Sequence, residues 1–182
     1  PAILVGEEVQ QLGGTQQIVE LAEKLGAAVV TSDGAKGAFP EDHAQSLGQI
    51  MGKRIWGENP VQDWLGTCDL VVVLGSILPQ RSTSGIGLQL PKEMVHVLLD
   101  GEAIGKNYPV TVPIVANSQA VVQQWLGAIG DQDVHKGKTF QEDISAIRSN
   151  MRERLEDTWS NELRVYETVR EVTPRNTIFS LD

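Results

Sequence analysis

Short runs of apolar, mostly β-branched residues recur along the first two-thirds of the chain. Each run is four to six residues long and nearly continuous in hydrophobicity. Such runs are typical of strands that are buried on both faces of a parallel sheet. The pattern predicts strands at Ala2–Val5, Ala28–Thr31, Leu70–Leu74, Met94–Leu99 and Val112–Val115.

Amphipathic helical patterns lie between these strands. In Thr15–Leu25 the apolar residues share one helical face, with Thr15 as the predicted N-cap and Gly26 as the predicted stop. Asn59–Leu65 carries Pro60 in its first turn, which favours a helix start. Alternating strands and helices with these loop lengths predict a right-handed, doubly wound α/β sheet. A third helix is predicted at Ser118–Ile129, with a buried stripe of Ala120, Val121, Trp125 and Ala128.

The composition of the chain changes near Gly130, because charged residues make up a larger fraction of the sequence after this point. We therefore predict one domain over residues 1–130. Residues 131–182 are predicted to be a helical connector and the first strand of a truncated further domain. The predicted elements are a loop at Asp131–Lys138, a helix from Thr139 to about Trp159 with a Thr139–Glu142 capping box, a helix at Ser160–Glu171 bounded by Pro174, and a strand at Thr177–Leu181.

Composition narrows the class of protein. Of 182 residues, 41% are hydrophobic and 21% charged, which is ordinary for a soluble globular chain. The net charge of −9 argues against a nucleic-acid partner, and no apolar stretch approaches the ~18 residues of a membrane span. The single cysteine, Cys68, excludes an intramolecular disulfide framework and fits a reducing compartment, so we expect a cytoplasmic location. Because the chain opens at Pro1 directly on a strand, we expect it to be a piece of a longer protein.

Two motifs carry a resemblance to a known family. They are Lys36-Gly37-Ala38-Phe39-Pro40 followed by His43, and Ile104-Gly105-Lys106-Asn107. Together with the strand segments, in the right order over roughly residues 1–130, they resemble the central domain of thiamine diphosphate (TPP)-dependent enzymes. Within that family, the motifs most resemble those of the acetolactate synthase, benzoylformate decarboxylase and pyruvate oxidase group. The segment from Pro174 to Asp182 resembles the start of that family's C-terminal, pyrophosphate-binding domain.

The resemblance implies a three-layer α/β/α fold around a six-stranded parallel, Rossmann-like sheet, related to the DHS-like NAD/FAD-binding domains. It also implies a parent enzyme that uses thiamine diphosphate and Mg²⁺, held by its N- and C-terminal domains, and that forms a homodimer or homotetramer. The parent would be a carboligase or a 2-oxo acid decarboxylase. Its catalytic glutamate and Gly-Asp-Gly motif belong to the other domains, and Gly-Asp-Gly is absent from this sequence. We therefore expect this chain to be non-catalytic and to act as a scaffold with subunit contacts.

In some relatives the central domain holds FAD or an adenine nucleotide. In a doubly wound sheet such a ligand would lie at the carboxyl ends of the strands. Glycine there lets a ligand approach the backbone, and an aspartate can accept a hydrogen bond from ribose or adenine. The candidate positions for this cleft are Gly6, Thr31, Gly75, Ser76 and Asp100.

Three departures from the flavin-binding pattern argue against a nucleotide. Gly6-Glu7-Glu8 stands where those relatives have a Gly-Gly-Gly-like turn, and two carboxylates would repel a diphosphate. Ser76-Ile77-Leu78 stands where they carry an arginine, and Gln49–Val61 differs from their flavin-contacting element. We therefore expect an empty cleft, with a free-standing FAD- or ADP-binding regulatory module as the alternative.

The remaining reactive side chains favour structural roles. His43 follows two carboxylates and is predicted to pack in a loop, while His96 lies in an apolar run and is predicted to be a hydrogen-bonded core residue. Cys68 precedes a buried strand without a neighbouring cation, so burial is favoured over a nucleophilic role. The three histidines are too scattered to indicate a metal site. Trp159 and its helix are expected to be exposed when the flanking domains are absent.

Overall fold

The computed structural model describes residues 1–50, 60–80, 83, 85, 87–132, 134, 140–177 and 179. Strands and helices alternate along most of this length, as the hydrophobic pattern predicts. A short 3₁₀ turn also occurs at Asp33–Ala35. The elements are β1 Ala2–Val5, α1 Glu7–Leu12, α2 Thr15–Leu25, β2 Ala28–Thr31, β3 Ser46–Gln49, α3 Pro60–Gly66, β4 Leu70–Leu74, β5 Glu93–Leu98, β6 Val112–Val115, α4 Ser118–Ile129 and α5 Gln141–Val172.

The six strands of the described residues form one sheet in the order β3-β2-β1-β4-β5-β6. Every neighbouring pair is parallel. Strand β1 pairs with β2 on one side and with β4 on the other, so the chain moves from one half of the sheet to the other after β3. The predicted doubly wound α/β class is confirmed. Its switch point lies between the carboxyl ends of β1 and β4.

The central strands β1, β2 and β4 are buried on both faces of the sheet. Successive residues of a strand point to opposite faces, and all four residues of β1 are buried. On one face Ile3 and Val5 belong to the core cluster that includes Ile18 of α2 and Val122 of α4. Leu4 points to the other face and is only 2% exposed. This two-sided burial explains why the strands read as continuous apolar runs rather than as alternating ones.

The strand predictions were right for the five apolar runs and missed β3. Strand β5 starts one residue earlier and ends one residue earlier than predicted, at Glu93–Leu98. Strand β3 has the sequence Ser-Leu-Gly-Gln, which lacks an apolar run. It lies at the edge of the sheet and pairs only with β2, with a register shift between Val29 and Thr31. Ser46 of this strand is buried although it is polar, and Gly48 and Gln49 are half-buried, so the sequence lacks the apolar pattern that predicts strands.

Helix α2 has the predicted bounds, but its N-cap prediction was wrong. The N-cap is Gly14, and Thr15 is the first helical residue. The Thr15 hydroxyl donates instead to the carbonyl oxygen of Ala38 at 2.9 Å, which ties the helix to the loop between β2 and β3. Gly26 ends the helix as predicted, in the left-handed conformation with φ of 58°.

Helix α4 also has the predicted bounds, and its predicted buried stripe was partly wrong. Ala120 and Ala128 are exposed, whereas Val121 and Val122 are buried. The helix therefore packs on a narrower face than its apolar residues suggest. Its N-cap is Asn117, whose side-chain oxygen accepts a hydrogen bond from the Ala120 amide at 3.0 Å. Helix α1 was not predicted, because Val9 is its one buried residue and gives no periodic apolar face.

The chain forms two compact units, Pro1–Ile147 and Arg148–Asp182. In the second unit the backbone is non-helical at Trp159 (φ −133°, ψ 35°), at the junction between the two predicted helices. Arg152 Nη2 lies 2.6 Å from Glu167 Oε1. A straight helix would separate two residues at this spacing by about 22 Å. The chain therefore folds back sharply at Trp159.

Several predictions for the carboxyl-terminal part lie beyond what the structure describes. Thr139 of the predicted capping box lies outside the described residues, as do most of the predicted loop at 131–138 and most of the predicted strand at 177–181. The predicted domain boundary near Gly130 stays a prediction. Within the described ranges, no helix combines the length and the apolar character needed to cross a membrane.

Candidate functional site

The predicted cleft residues lie at the carboxyl ends of neighbouring strands. Gly6 directly follows β1, and Gly75 and Ser76 directly follow β4. Thr31 is the last residue of β2 and pairs with Val5 of β1. The structure therefore brings these four positions to the switch point of the sheet, where ligands of doubly wound folds bind.

The two glycines of the cleft are packed against each other's chain segments. The Gly6 amide donates to the Leu74 carbonyl at 2.8 Å. A Cβ atom at Gly6 would lie 2.3 Å from the Gly75 carbonyl oxygen and 2.4 Å from Ser76 Cα. Gly75 adopts a positive φ of 67°, and a Cβ there would lie 2.7 Å from Glu8 Cβ. Both glycines thus allow close contact between two turns of the same chain, with no room left between them.

The polar side chains of the predicted cleft are bonded within the chain. The Ser76 hydroxyl oxygen accepts from the Leu78 amide at 3.1 Å, and the Ser76 side chain is fully buried. Thr31 is 2% exposed, with its hydroxyl 3.5 Å from the Gly48 carbonyl. Asp100 is exposed and lies two residues after β5, where its carboxylate accepts from the Glu102 amide at 3.0 Å. Asp100 therefore shapes a surface turn.

A carboxylate occupies the end of the crevice nearest β5. Glu8, in the first turn of α1, donates its amide to the Gly75 carbonyl at 3.0 Å. Its Oε2 accepts from the Leu99 amide at 2.9 Å, and its Oε1 accepts from the Ser118 hydroxyl at 3.2 Å. One side chain therefore links the β1–α1 turn to the end of β5 and to the start of α4.

From the sequence alone, Glu7 and Glu8 are predicted only to repel a diphosphate through their charge. The structure gives both carboxylates partners, since Glu7 Oε1 also accepts from the Gly34 amide at 3.3 Å. The sequence signal for this role is an acidic residue in the first turn of a helix that follows a strand-end glycine. That pattern predicts a carboxylate that accepts hydrogen bonds from backbone N–H groups, but it does not identify the residues that donate them.

Residues 1–125 match the family described as "Thiamine pyrophosphate enzyme, central domain". This match covers well over half of the chain. The chain belongs to this central-domain family.

Curated relatives of this central domain are acetolactate synthases. The "Probable acetolactate synthase large subunit" of Methanocaldococcus jannaschii is 29% identical over 149 residues, which are 81% of this chain and 25% of that protein. The acetolactate synthase large subunit of Mycobacterium tuberculosis is 34% identical over 130 residues, which are 71% of this chain and 21% of that protein. The central domain thus spans about a quarter or less of the length of these relatives.

A solved structure agrees with this assignment. A "putative thiamin diphosphate-dependent enzyme isolated from Mycobacterium smegmatis" matches 75% of this chain and 26% of that protein, with a TM-score of 0.54 and 27% sequence identity. The predicted resemblance and the six-stranded parallel fold are both confirmed.

His96 has the hydrogen-bonded core surroundings that the sequence predicts, whereas Cys68 is half-buried. His96 is 1% exposed, and its Nε2 lies 2.8 Å from the Ser76 carbonyl oxygen. Burial holds its pKa below the usual value, so the ring is neutral at physiological pH. Burial raises the pKa of Cys68 to about 11, which leaves almost no thiolate to act as a nucleophile.

A cavity of about 320 Å³ lies at the opposite, amino edge of the sheet, where Gly26 and Gln45 precede strands. Three of its polar side chains, Glu23, His43 and Gln45, contact other groups of the chain. Gln45 Nε2 donates to the Ala22 carbonyl at 2.8 Å, and His43 Nε2 lies 3.3 Å from Glu23 Oε1. The His43 ring also packs edge-on against Phe39, in agreement with its predicted packing role. No group of three or more potential metal ligands occurs among the described residues.

Proposed function

We propose that this chain is the non-catalytic central domain of a longer, acetolactate synthase-like enzyme that uses thiamine diphosphate. Its role is to space the N- and C-terminal domains of the parent and to contribute subunit contacts. The family match and the acetolactate synthase relatives, which are about four to five times longer than the aligned part, support this proposal.

The closed strand-end crevice is the observation that carries the proposed role. Gly6 and Gly75 bring two turns into van der Waals contact at the switch point. Glu8 fills the neighbouring position with its own carboxylate. A dinucleotide needs both free space and N–H donors at this point for its phosphates, and here both are already used. The crevice of this domain is therefore proposed to hold no FAD or ADP.

Thiamine diphosphate and Mg²⁺ do not fit the residues that the structure describes. A diphosphate is held by N–H donors, cations or a metal ion, whereas the crevice presents the carboxylates of Glu7 and Glu8. The Mg²⁺ ion needs several converging oxygen ligands, and the described residues provide no such cluster. In the proposed parent, the cofactor and the metal are held by the two other domains. The parent converts 2-oxo acids, as a carboligase or as a decarboxylase.

Exposed apolar side chains support a contact role. Ile77, Leu99 and Val115 are 50%, 50% and 65% exposed and follow or end three adjacent strands, β4, β5 and β6. In the second unit, Tyr166 is 54% and Val172 76% exposed on one helix. Such side chains are favourable where another domain or subunit covers them. We propose that the parent is a cytoplasmic homodimer or homotetramer with partners at these surfaces.

Titration of the purified 182-residue chain tests the proposal directly. We expect no saturable change in melting temperature or in binding heat with FAD, ADP, or thiamine diphosphate with Mg²⁺. We also expect no release of CO₂ from pyruvate. Tight binding of FAD or ADP would favour the free-standing nucleotide-binding module. Turnover of pyruvate would contradict the non-catalytic role.

A further inference from the structure

Two hydrogen-bond donors from separate elements converge on the Glu8 carboxylate. The Leu99 amide lies just after β5, and Ser118 is the first residue of α4. They donate to different oxygens, at 2.9 Å and 3.2 Å. Ser118 is 2% exposed, so its hydroxyl has little access to water. Each oxygen of the Glu8 carboxylate thus accepts a hydrogen bond from a fixed donor. A bound anion is held by hydrogen bonds of the same kind.

We propose that the end of β5 and the start of α4 form an anion-binding site that Glu8 occupies from within the chain. Small carboxylates such as formate bind there once the Glu8 carboxylate is removed. This inference rests on the proposed closed crevice and names the residue that closes it at this end. Glu8 is in this sense a specificity-determining residue, because it takes the donors that an external anion would need.

The donors are held in place without Glu8. Strand β5 pairs with β6 up to Leu98↔Val115, and the Ala116 amide donates to the Leu98 carbonyl at 3.2 Å. The start of α4 is fixed by the Asn117 cap, whose side chain accepts from the Ala120 amide. Removal of Glu8 should therefore leave a preorganised pair of donors rather than a collapsed loop.

The charge around the site selects a small monovalent anion. Glu7 precedes Glu8, and Asp100 follows Leu99, so two further carboxylates lie next to the donor pair in sequence. Their negative charge disfavours phosphate dianions and diphosphates more than it disfavours formate or acetate. A planar carboxylate also reproduces the two oxygen atoms that Glu8 places against Leu99 and Ser118.

The test compares Glu8→Ala with wild type and with Glu7→Ala in the full 182-residue chain. Glu7→Ala removes the same charge from the neighbouring position and leaves the Leu99 and Ser118 donors occupied. Sodium formate is titrated against sodium chloride at constant ionic strength, and amide chemical shifts are followed by NMR. We expect a saturable shift of the Leu99 amide in Glu8→Ala and no saturable shift in the other two proteins.

Thermal unfolding gives a second readout. Glu8→Ala is expected to melt about 2–8 °C below wild type, because two charge-assisted hydrogen bonds are lost. Formate at about 100 mM should restore at least half of that loss, since a ligand that binds only the folded state stabilises it. The same formate should not raise the melting temperature of Glu7→Ala. If Glu8→Ala does not fold without formate, Glu8→Ser replaces it in both measurements.

Absence of a Leu99 shift, or an equal shift in wild type and variant, would overturn the inference. The proposed function fails separately, by tight FAD or ADP binding to the wild-type chain. A wild-type chain that binds no nucleotide and a variant that ignores formate would therefore reject the anion site alone.

Discussion

Gly6 is a position where a neighbouring chain segment leaves room only for glycine. A side chain at this position would overlap the Gly75 carbonyl oxygen, which is part of the next strand-end turn. Gly75 is fixed in addition by its positive φ. A strand-end glycine in a doubly wound fold suggests ligand approach from sequence alone. In the tertiary structure, both glycines instead allow the turn after β1 to pack closely against the turn after β4.

Replacement of Gly6 by alanine is expected to destabilise the fold by about 2–3 kcal/mol, because the added Cβ forces two packed backbone segments apart. Urea unfolding measures the effect. Gly127 offers the matched control, because it lies in helix α4 and a Cβ there meets nothing within 4 Å. Gly127→Ala should stabilise the chain by about 0.5–1 kcal/mol. Equal stability of Gly6→Ala and wild type would contradict the close contact.

His96 links stability to pH. Its pKa is lowered in the folded chain by burial, whereas the unfolded chain has the ordinary value of 6.5. The unfolded state therefore takes up a proton first as the pH falls, and the stability that neutral His96 provides is present above pH 6.5 and lost below it. The free energy of unfolding should fall by up to about 1.4 kcal/mol per pH unit from this residue.

Urea unfolding between pH 7 and pH 5 tests this linkage with His96→Gln, which can still donate to the Ser76 carbonyl. We expect the variant to lose part of the pH dependence that wild type shows. His43→Gln serves as the control, because it leaves His96 in place. A His96→Gln chain with the full wild-type slope would show that His96 does not titrate between the folded and unfolded states.

At the scale of elements, the two units differ in how much of each is buried. Strands β1, β2 and β4 are almost fully buried, and each pairs with a strand on both sides. Within α5, by contrast, Ile144 and Ile147 are the buried residues of the helix, and both precede the second unit. Arg152 pairs with Glu156 on the same helical segment and with Glu167 across the bend at Trp159, and both are surface ion pairs. Surface pairs contribute little to stability.

Hydrogen exchange should report this division. Amides of β1 and β4 are expected to exchange only on global unfolding, because their opening exposes the core. Amides of α5 beyond Ile147 are expected to exchange faster, because few buried apolar contacts oppose local opening. Mass spectrometry of peptic peptides measures both regions in one experiment. Uniform protection across the two regions would contradict the expectation.

At the scale of the whole molecule, the sheet order decides where the candidate site lies. The order β3-β2-β1-β4-β5-β6 places the first βα turn next to the β4 turn and close to the end of β5. These segments are some 70 to 90 residues apart in the chain. The same order sets β6 at one edge with Val115 exposed, where the proposed parent would supply a covering surface.

The sequence determined the fold class, five of the six strands and the bounds of α2 and α4. It could do so because buried parallel strands and amphipathic helices impose local periodicities. Strand β3 has one apolar side chain, Leu47, and the short helix α1 has one buried residue, Val9, so neither element leaves such a pattern. The motifs resembling the central domain also sufficed for the family, which the comparisons confirmed.

Tertiary structure alone decided what the cleft residues do. Glu8 is an acidic residue near the chain start, and nothing in its local sequence identifies Leu99 and Ser118 as its partners. Those hydrogen bonds exist because the topology brings the end of β5 and the start of α4 to the β1–α1 turn. Contacts between residues about a hundred positions apart depend on sheet order and register, which short-range periodicity does not encode.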